Sequence, residues 1–209
     1  MTSLNLIHRV RLPNNQGPHC SPAVVFIHGW TGDERSMQIF GKALPQGAAA
    51  IYPRGPVATG EGYGWFDRHD GSEAPYRSGL EALQEFVAGL AVAYPVDPAR
   101  LVLVGFSQGG AMSQALALAE PGLTAGLAVL AGYLPAFARE QVTPGRLTGK
   151  PVFMAHGVKD ETVPVADARW ACNALTLAGA DVTYHEYPTG HRVNRNGMHD
   201  LKQWLSQHV

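Results

Sequence analysis

Short, uninterrupted apolar runs recur along the chain at Ala23–Ile27, Ala48–Tyr52, Leu101–Val104, Leu127–Leu130 and Pro151–Ala155. Runs of this length without alternation suit strands buried on both faces, as in a parallel sheet covered by helices. Val182–Tyr187 is a more polar strand-type run, and Leu4–Arg11 predicts an edge strand in the antiparallel sense. Between the runs the period changes. Ser78–Tyr94 sets Leu80, Leu83, Phe86, Val87 and Leu90 at helical spacing. Gln108–Ala119 is a small-residue helix fit to pack closely on a sheet, and Ala166–Ala178 and Asn196–Gln207 complete the helical set. From about residue 100 onward strand and helix alternate, which predicts an α/β fold with right-handed crossovers. Two long connections stand out, Arg54–Tyr76 and Tyr133–Lys150. The first is rich in Gly, Pro and aromatics, and irregular stretches of more than about 15 residues are often functional.

Length and composition narrow this picture. A chain of 209 residues accommodates one domain, 1–209. Charged residues are 16% of the chain, against about 25% in ordinary soluble domains. The net charge of −1 and the lack of a basic run exclude the footprint of a nucleic-acid partner. Cys20 and Cys172 are neither a disulfide framework nor a zinc motif, and they read as free thiols of a cytoplasmic protein. Two uncharged stretches, 101–119 and 121–138, have the length of a membrane span. Gly105, Ser107, Gln108, Gly109, Gly110, Ser113 and Gln114 punctuate the first, and Pro121, Gly122, Gly126, Gly132 and Pro135 break the second. Both read as buried strands with polar interruptions, so no stable membrane insertion is expected. Met1–Arg11 has no apolar secretory core.

The segment Gly105-Phe-Ser107-Gln-Gly109-Gly110 carries the chemistry. In G-x-S-x-G a strand turns sharply into a helix and lifts the serine hydroxyl above the sheet. Side chains two residues to either side of the serine would collide, so glycine is needed there. The helix that follows turns its N–H groups and positive end toward the serine. Such a hydroxyl is a poor nucleophile until a histidine takes its proton and an acid orients that histidine. In folds with this elbow the acid and then the histidine follow in chain order. Asp160 lies just beyond the strand-type run Pro151–Ala155, with Glu161 as its competitor, and Pro164 is placed to open the next helix. His191 leaves the last strand-type run through Pro188-Thr-Gly. Of the other histidines, His8, His19 and His208 lie near the termini, His185 mid-strand, His199 mid-helix and His69 in an irregular loop. His156, at a strand end, is expected to support the loop of Asp160. No metal-binding spacing exists, so neither a metal nor a cofactor is expected.

Acyl transfer builds negative charge on a carbonyl oxygen, which two preorganised N–H donors stabilise by roughly 3 kcal/mol each. The N–H of Gln108, directly after the nucleophile, is one expected donor. The other is the N–H of Trp30, after the run Ala23–Ile27, where Gly29 lets the backbone approach. Trp30, Tyr63, Trp65, Phe66 and Tyr133 are the aromatic candidates for an apolar acyl pocket, with a core role as the competing reading.

His28-Gly-Trp30-Thr-Gly-Asp, Gly64-Trp-Phe-Asp67, Gly105-Phe-Ser-Gln-Gly-Gly110, His156-Gly-x-x-Asp160-x-x-Val-Pro164 and Gly190-His191 together resemble the phospholipase/carboxylesterase family of α/β-hydrolases. That family includes small bacterial carboxylesterases and acyl-protein thioesterases. The resemblance implies the α/β-hydrolase fold, with a mostly parallel sheet, helices on both faces and no separate cap domain. It implies a Ser107–Asp160–His191 triad hydrolysing a small-molecule ester or thioester without a cofactor, through an acyl-enzyme and with short to medium acyl chains. A lysophospholipase or acyl-protein thioesterase with the same triad is the alternative, and a non-catalytic binder on this fold a more distant one. Trp30 stands where the thioesterases resemble one another in a smaller aliphatic residue, which tells against long acyl chains. An exposed aromatic patch near Trp65 would equally serve as the contact of a homodimer.

Overall fold

The computed structural model describes residues 4–14, 20–67 and 74–209. In chain order its strands are β1 (His8–Arg11), β2 (Ser21–Ile27), β3 (Ala49–Pro53), β4 (Val57–Ala58), β5 (Tyr63–Gly64), β6 (Val96–Phe106), β7 (Gly126–Leu130), β8 (Pro151–Gly157) and β9 (Asp181–Tyr187). Its α-helices are α1 (Ala74–Ala93), α2 (Gln108–Ala119), α3 (Val165–Leu177) and α4 (Arg195–His208). Seven strands form one sheet in the order β1-β3-β2-β6-β7-β8-β9. Only β1 runs antiparallel, against β3. This is the mostly parallel sheet expected from the apolar runs and the α/β-hydrolase arrangement that the resemblance implies, and among the described residues no separate cap domain covers it.

The unbroken apolar runs follow from burial on both faces. Val25, Leu103 and Val129 pack on one side of the sheet with Leu83 and Phe86 of α1 and Leu116 of α2. Their chain neighbours Val24, Phe26, Val104 and Ala128 pack on the other side with Phe40, Leu201 and Trp204. Alternate residues of a strand point to opposite faces, so both faces must be apolar when helices cover both.

The ends of several elements move. The edge strand is only His8–Arg11, because the chain before it turns inward and buries Leu6. His8 bridges the Leu6 carbonyl at 2.7 Å and the Tyr94 hydroxyl at 2.6 Å. Helix α1 starts at Ala74 rather than Ser78 and takes Pro75 into its first turn, where the missing N–H has no helical acceptor to lose. Pro164 stands just outside α3 rather than in it. The uncharged stretch 101–119 divides into β6 and α2, and among the described residues no helix is long and apolar enough to cross a membrane. His19 and His69 lie outside the described residues.

Among the described residues near Trp65 the expected exposed aromatic patch does not form: Trp65 is 0% and Phe66 1% exposed. The Trp65 indole N–H donates to the His28 carbonyl at 2.9 Å, and Phe66 packs on Tyr76 at 4.0 Å between ring centroids. Large flat side chains that can satisfy their polar edge internally belong in the core. A subunit contact there loses its basis.

Candidate active site

The site begins where β6 meets α2. Ser107 stands between them at φ 53° and ψ −117°, a left-handed backbone that costs a non-glycine residue energy and is held by its surroundings. Its N–H donates to the Leu130 carbonyl at 2.8 Å. A side chain on Gly105 would run into the Gly109 carbonyl, and one on Gly109 into the carbonyls of Ile27 and His28. The two glycines therefore let strand, helix and the end of β2 meet around the serine. Residues 108–118 of α2 are all buried, so its small side chains bring the helix start close to the sheet.

His191 reaches Ser107 from the connection after β9, with Nε2 2.9 Å from the serine Oγ. Its Nδ1 lies 2.7 Å from Asp160 Oδ2. A carboxylate only accepts, so Nδ1 carries the proton and Nε2 is left to accept from the serine. The Asp160 side chain is fully buried. Burial alone would raise its pKa, but the N–H of Val163, the His191 ring and the N–H of Thr162 together hold it below the ordinary carboxylate range. His156 braces this turn, with Nε2 2.8 Å from the Val163 carbonyl and 3.4 Å from Asp160 Oδ2. Glu161, the competing acid, is exposed and makes no contact with His191.

The Gly29–Trp30 peptide lies against the serine: a Cβ on Gly29 would sit 3.2 Å from that of Ser107. His28, fully buried, controls this peptide. Its Nε2 accepts the Gly55 N–H at 2.9 Å, so Nδ1 carries the proton and donates to the Gly29 carbonyl at 2.7 Å. Gly32 N–H donates to the same carbonyl at 3.1 Å. A planar trans peptide held by its C=O turns its N–H the opposite way, which fixes the direction of the Trp30 N–H. Burial pushes the His28 pKa down and keeps the ring neutral. Farther along the loop, Glu34 is buried against Arg54 at 2.7 Å, and that hydrogen bond holds its pKa below the usual value. Arg54 also lies over the Tyr63 ring at 4.4 Å.

The Gln108 side chain ties the parts together. Its Oε1 accepts the Trp65 N–H at 2.8 Å, and its Nε2 donates to the Phe66 carbonyl at 2.9 Å. Gly64 lies under the Trp30 ring, where any side chain would strike it.

Two clefts open beside the serine, and only Trp30 belongs to both. The first, about 280 Å³, is walled by Trp30, Ser107, Gln108, Tyr133, Thr162, Val163 and Asp167. The second, about 350 Å³, is lined by the loop 29–32, Ser36, Met37, Phe40, Phe106, Arg192 and Val193. Of the aromatic candidates, Trp30 and Tyr133 therefore face a cleft. Tyr63, Trp65 and Phe66 line neither of these two clefts: the Tyr63 ring lies against Arg54, and the other two are buried. Sequence reasoning missed the His28 ring, the Gln108 amide, Phe106 and Asp167. The first two sit inside motifs that were noticed, but their partners lie 27 and 43 residues away. Among the described residues no group of three or more His, Cys, Asp or Glu side chains could hold a metal ion.

The sequence profile of the Phospholipase/Carboxylesterase family matches residues 14–209. A probable carboxylesterase of Oryza sativa subsp. japonica is 30% identical over 174 residues, which cover 75% of this chain and 64% of that protein. Acyl-protein thioesterase 1 of Mycosarcoma maydis is 38% identical over 121 residues, 54% of this chain and 50% of that protein. The chain thus spans less than two thirds of the length of these curated relatives. The crystal structure of the Bacillus cereus carboxylesterase is similar with a TM-score of 0.87 over 98% of this chain and 95% of that one, at 23% identity. A likeness at that identity speaks for the fold alone.

Proposed function

The chain belongs to the phospholipase/carboxylesterase family, and from that premise we propose that it is a serine hydrolase of carboxylic esters acting through an acyl-enzyme. The observation that carries this reading is the continuous relay from Ser107 Oγ through His191 to the buried Asp160, at 2.9 and 2.7 Å. Ser107 attacks the acyl carbonyl while His191 Nε2 takes its proton. Asp160 holds the imidazole in the required tautomer and stabilises its cation. The N–H groups of Trp30 and Gln108 receive the charge that develops on the carbonyl oxygen. His191 then protonates the leaving alcohol, and water repeats the cycle on the acyl-enzyme. No cofactor takes part in any of these steps.

The same relay serves an acyl-protein thioesterase or a lysophospholipase. Two features favour the smaller ester. The Trp30 indole stands between the clefts, and neither cleft exceeds about 350 Å³, the lower end of small-molecule pockets. The test is a fluorophosphonate label followed by kcat/KM across p-nitrophenyl esters from acetate to palmitate. Labelling of the native chain but not of Ser107→Ala, with a maximum at short to medium chains, is expected. Equal labelling of Ser107→Ala defeats the triad, and a maximum at palmitate defeats the small-ester assignment.

A further inference from the structure

The first cleft holds a feature that ester chemistry does not require. Asp167 lies on its wall with an exposed carboxylate that makes no hydrogen bond or ion pair among the described residues. The aromatic rings of Trp30 and Tyr133 share the same small cleft. Burial pushes the Tyr133 hydroxyl up to about 12, so that ring is neutral across the working range. Two aromatic side chains and a carboxylate lining one space are complementary to a positive charge, and to a diffuse alkylammonium above all.

Position relative to the relay says which part of an ester enters this cleft. The leaving oxygen must lie at His191 Nε2, which protonates it. The second cleft flanks that ring, since Phe106 contacts it at 5.1 Å between centroids and Arg192 follows it in the chain. The first cleft contains Ser107 and Gln108, the nucleophile and one expected oxyanion donor, and is closed farther out by Thr162 and Val163 of the Asp160 turn. An alcohol on the His191 side therefore leaves the acyl chain in the first cleft. On the esterase reading, we infer that the cleft of Trp30, Tyr133 and Asp167 is an acyl subsite for esters whose acyl chain ends in a positively charged nitrogen, with the alcohol in the second cleft.

Asp167 also sits in the first turn of α3, where a negative charge favours the helix dipole. A purely structural role would alter stability without distinguishing one ester from another, so the test reads a ratio. The butyl ester of γ-trimethylammonio-butanoate is compared with its carbon isostere, which carries a tert-butyl group in place of the trimethylammonium. The expected kcat/KM ratio, cationic over neutral, is about tenfold in the native chain, the sum of an exposed cation–aromatic contact and an exposed ion pair. It should fall toward one in Asp167→Asn and below one in Asp167→Lys. A native ratio at or below one overturns the subsite, as does a ratio unchanged in Asp167→Asn. If neither ester turns over and Ser107 is not labelled, the esterase reading has failed instead. The subsite is then read by titrating tetramethylammonium against the indole N–H resonance of Trp30. Saturable binding that weakens in Asp167→Asn supports it, and no binding overturns it. Should the Asp167 variants not fold, Tyr133→Leu takes their place with the same expected fall.

Discussion

The two clefts beside Ser107 share a wall and differ in almost everything else. The second is lined by the apolar side chains of Met37, Phe40, Phe106 and Val193, with Ser36 and the cationic Arg192 beside them. The first is lined by two aromatic side chains, the hydroxyl-bearing Ser107, Tyr133 and Thr162, and the anionic Asp167. Both depend on one indole and on one peptide, Gly29–Trp30, for their geometry. On the proposed esterase reading, the difference separates chemistry from selectivity: the relay and the held peptide would treat any carbonyl alike, and the walls beside them would choose its substituents.

The largest expected effect removes what the clefts have in common. Asp160→Asn should lower kcat by about 10⁴ for every ester, because the amide favours the wrong imidazole tautomer. Glu161→Gln should stay within about twofold, and the reverse order would reassign the acid. The next effect acts through the shared peptide. His28→Gln loses the paired anchoring of Gly29 and Gly55, so kcat for a short ester should fall about 100-fold with little change in KM. Acid unfolding supplies a second readout of that residue. Burial lowers the His28 pKa from its ordinary value of 6.5, so its share of stability is complete above that value and is lost as pH falls through the lowered one. His28→Gln should remove that part of the slope, and an unchanged slope would contradict a buried neutral ring. The smallest effect opens the partition itself. Trp30→Leu keeps the backbone donor but joins the clefts, and kcat/KM for octanoate relative to acetate should rise about tenfold. An unchanged ratio would mean that Trp30 divides nothing.

Much of this was legible along the chain, for reasons visible in particular residues. The runs Ala23–Ile27 and Leu101–Val104 announce doubly covered strands, because nothing polar survives on either face of such a sheet. The glycines at 105 and 109 announce the elbow, because only hydrogen fits where a Cβ would meet a carbonyl. Asp160 and His191 follow from chain order. The aromatic segment misled because composition is silent on direction. Trp65 and Phe66 have the chemistry of a pocket wall and the burial of a core, and only the Gln108 amide and the His28 carbonyl decide which.

The sequence by itself determined the succession along the chain of the seven main-sheet strands and four α-helices, the position of the sharp turn at Ser107, and His191 with one of the neighbouring acids Asp160 and Glu161 as its companions; it did not show β4 and β5. Each of these rests on local sterics or on short spacing. The tertiary structure alone decided that His28 holds the Gly29–Trp30 peptide, that Gln108 holds Trp65 and Phe66, and that Asp167 and Tyr133 line one cleft. These pairings join residues far apart in the chain, and each becomes specific only when the sheet brings the strand ends together at one edge.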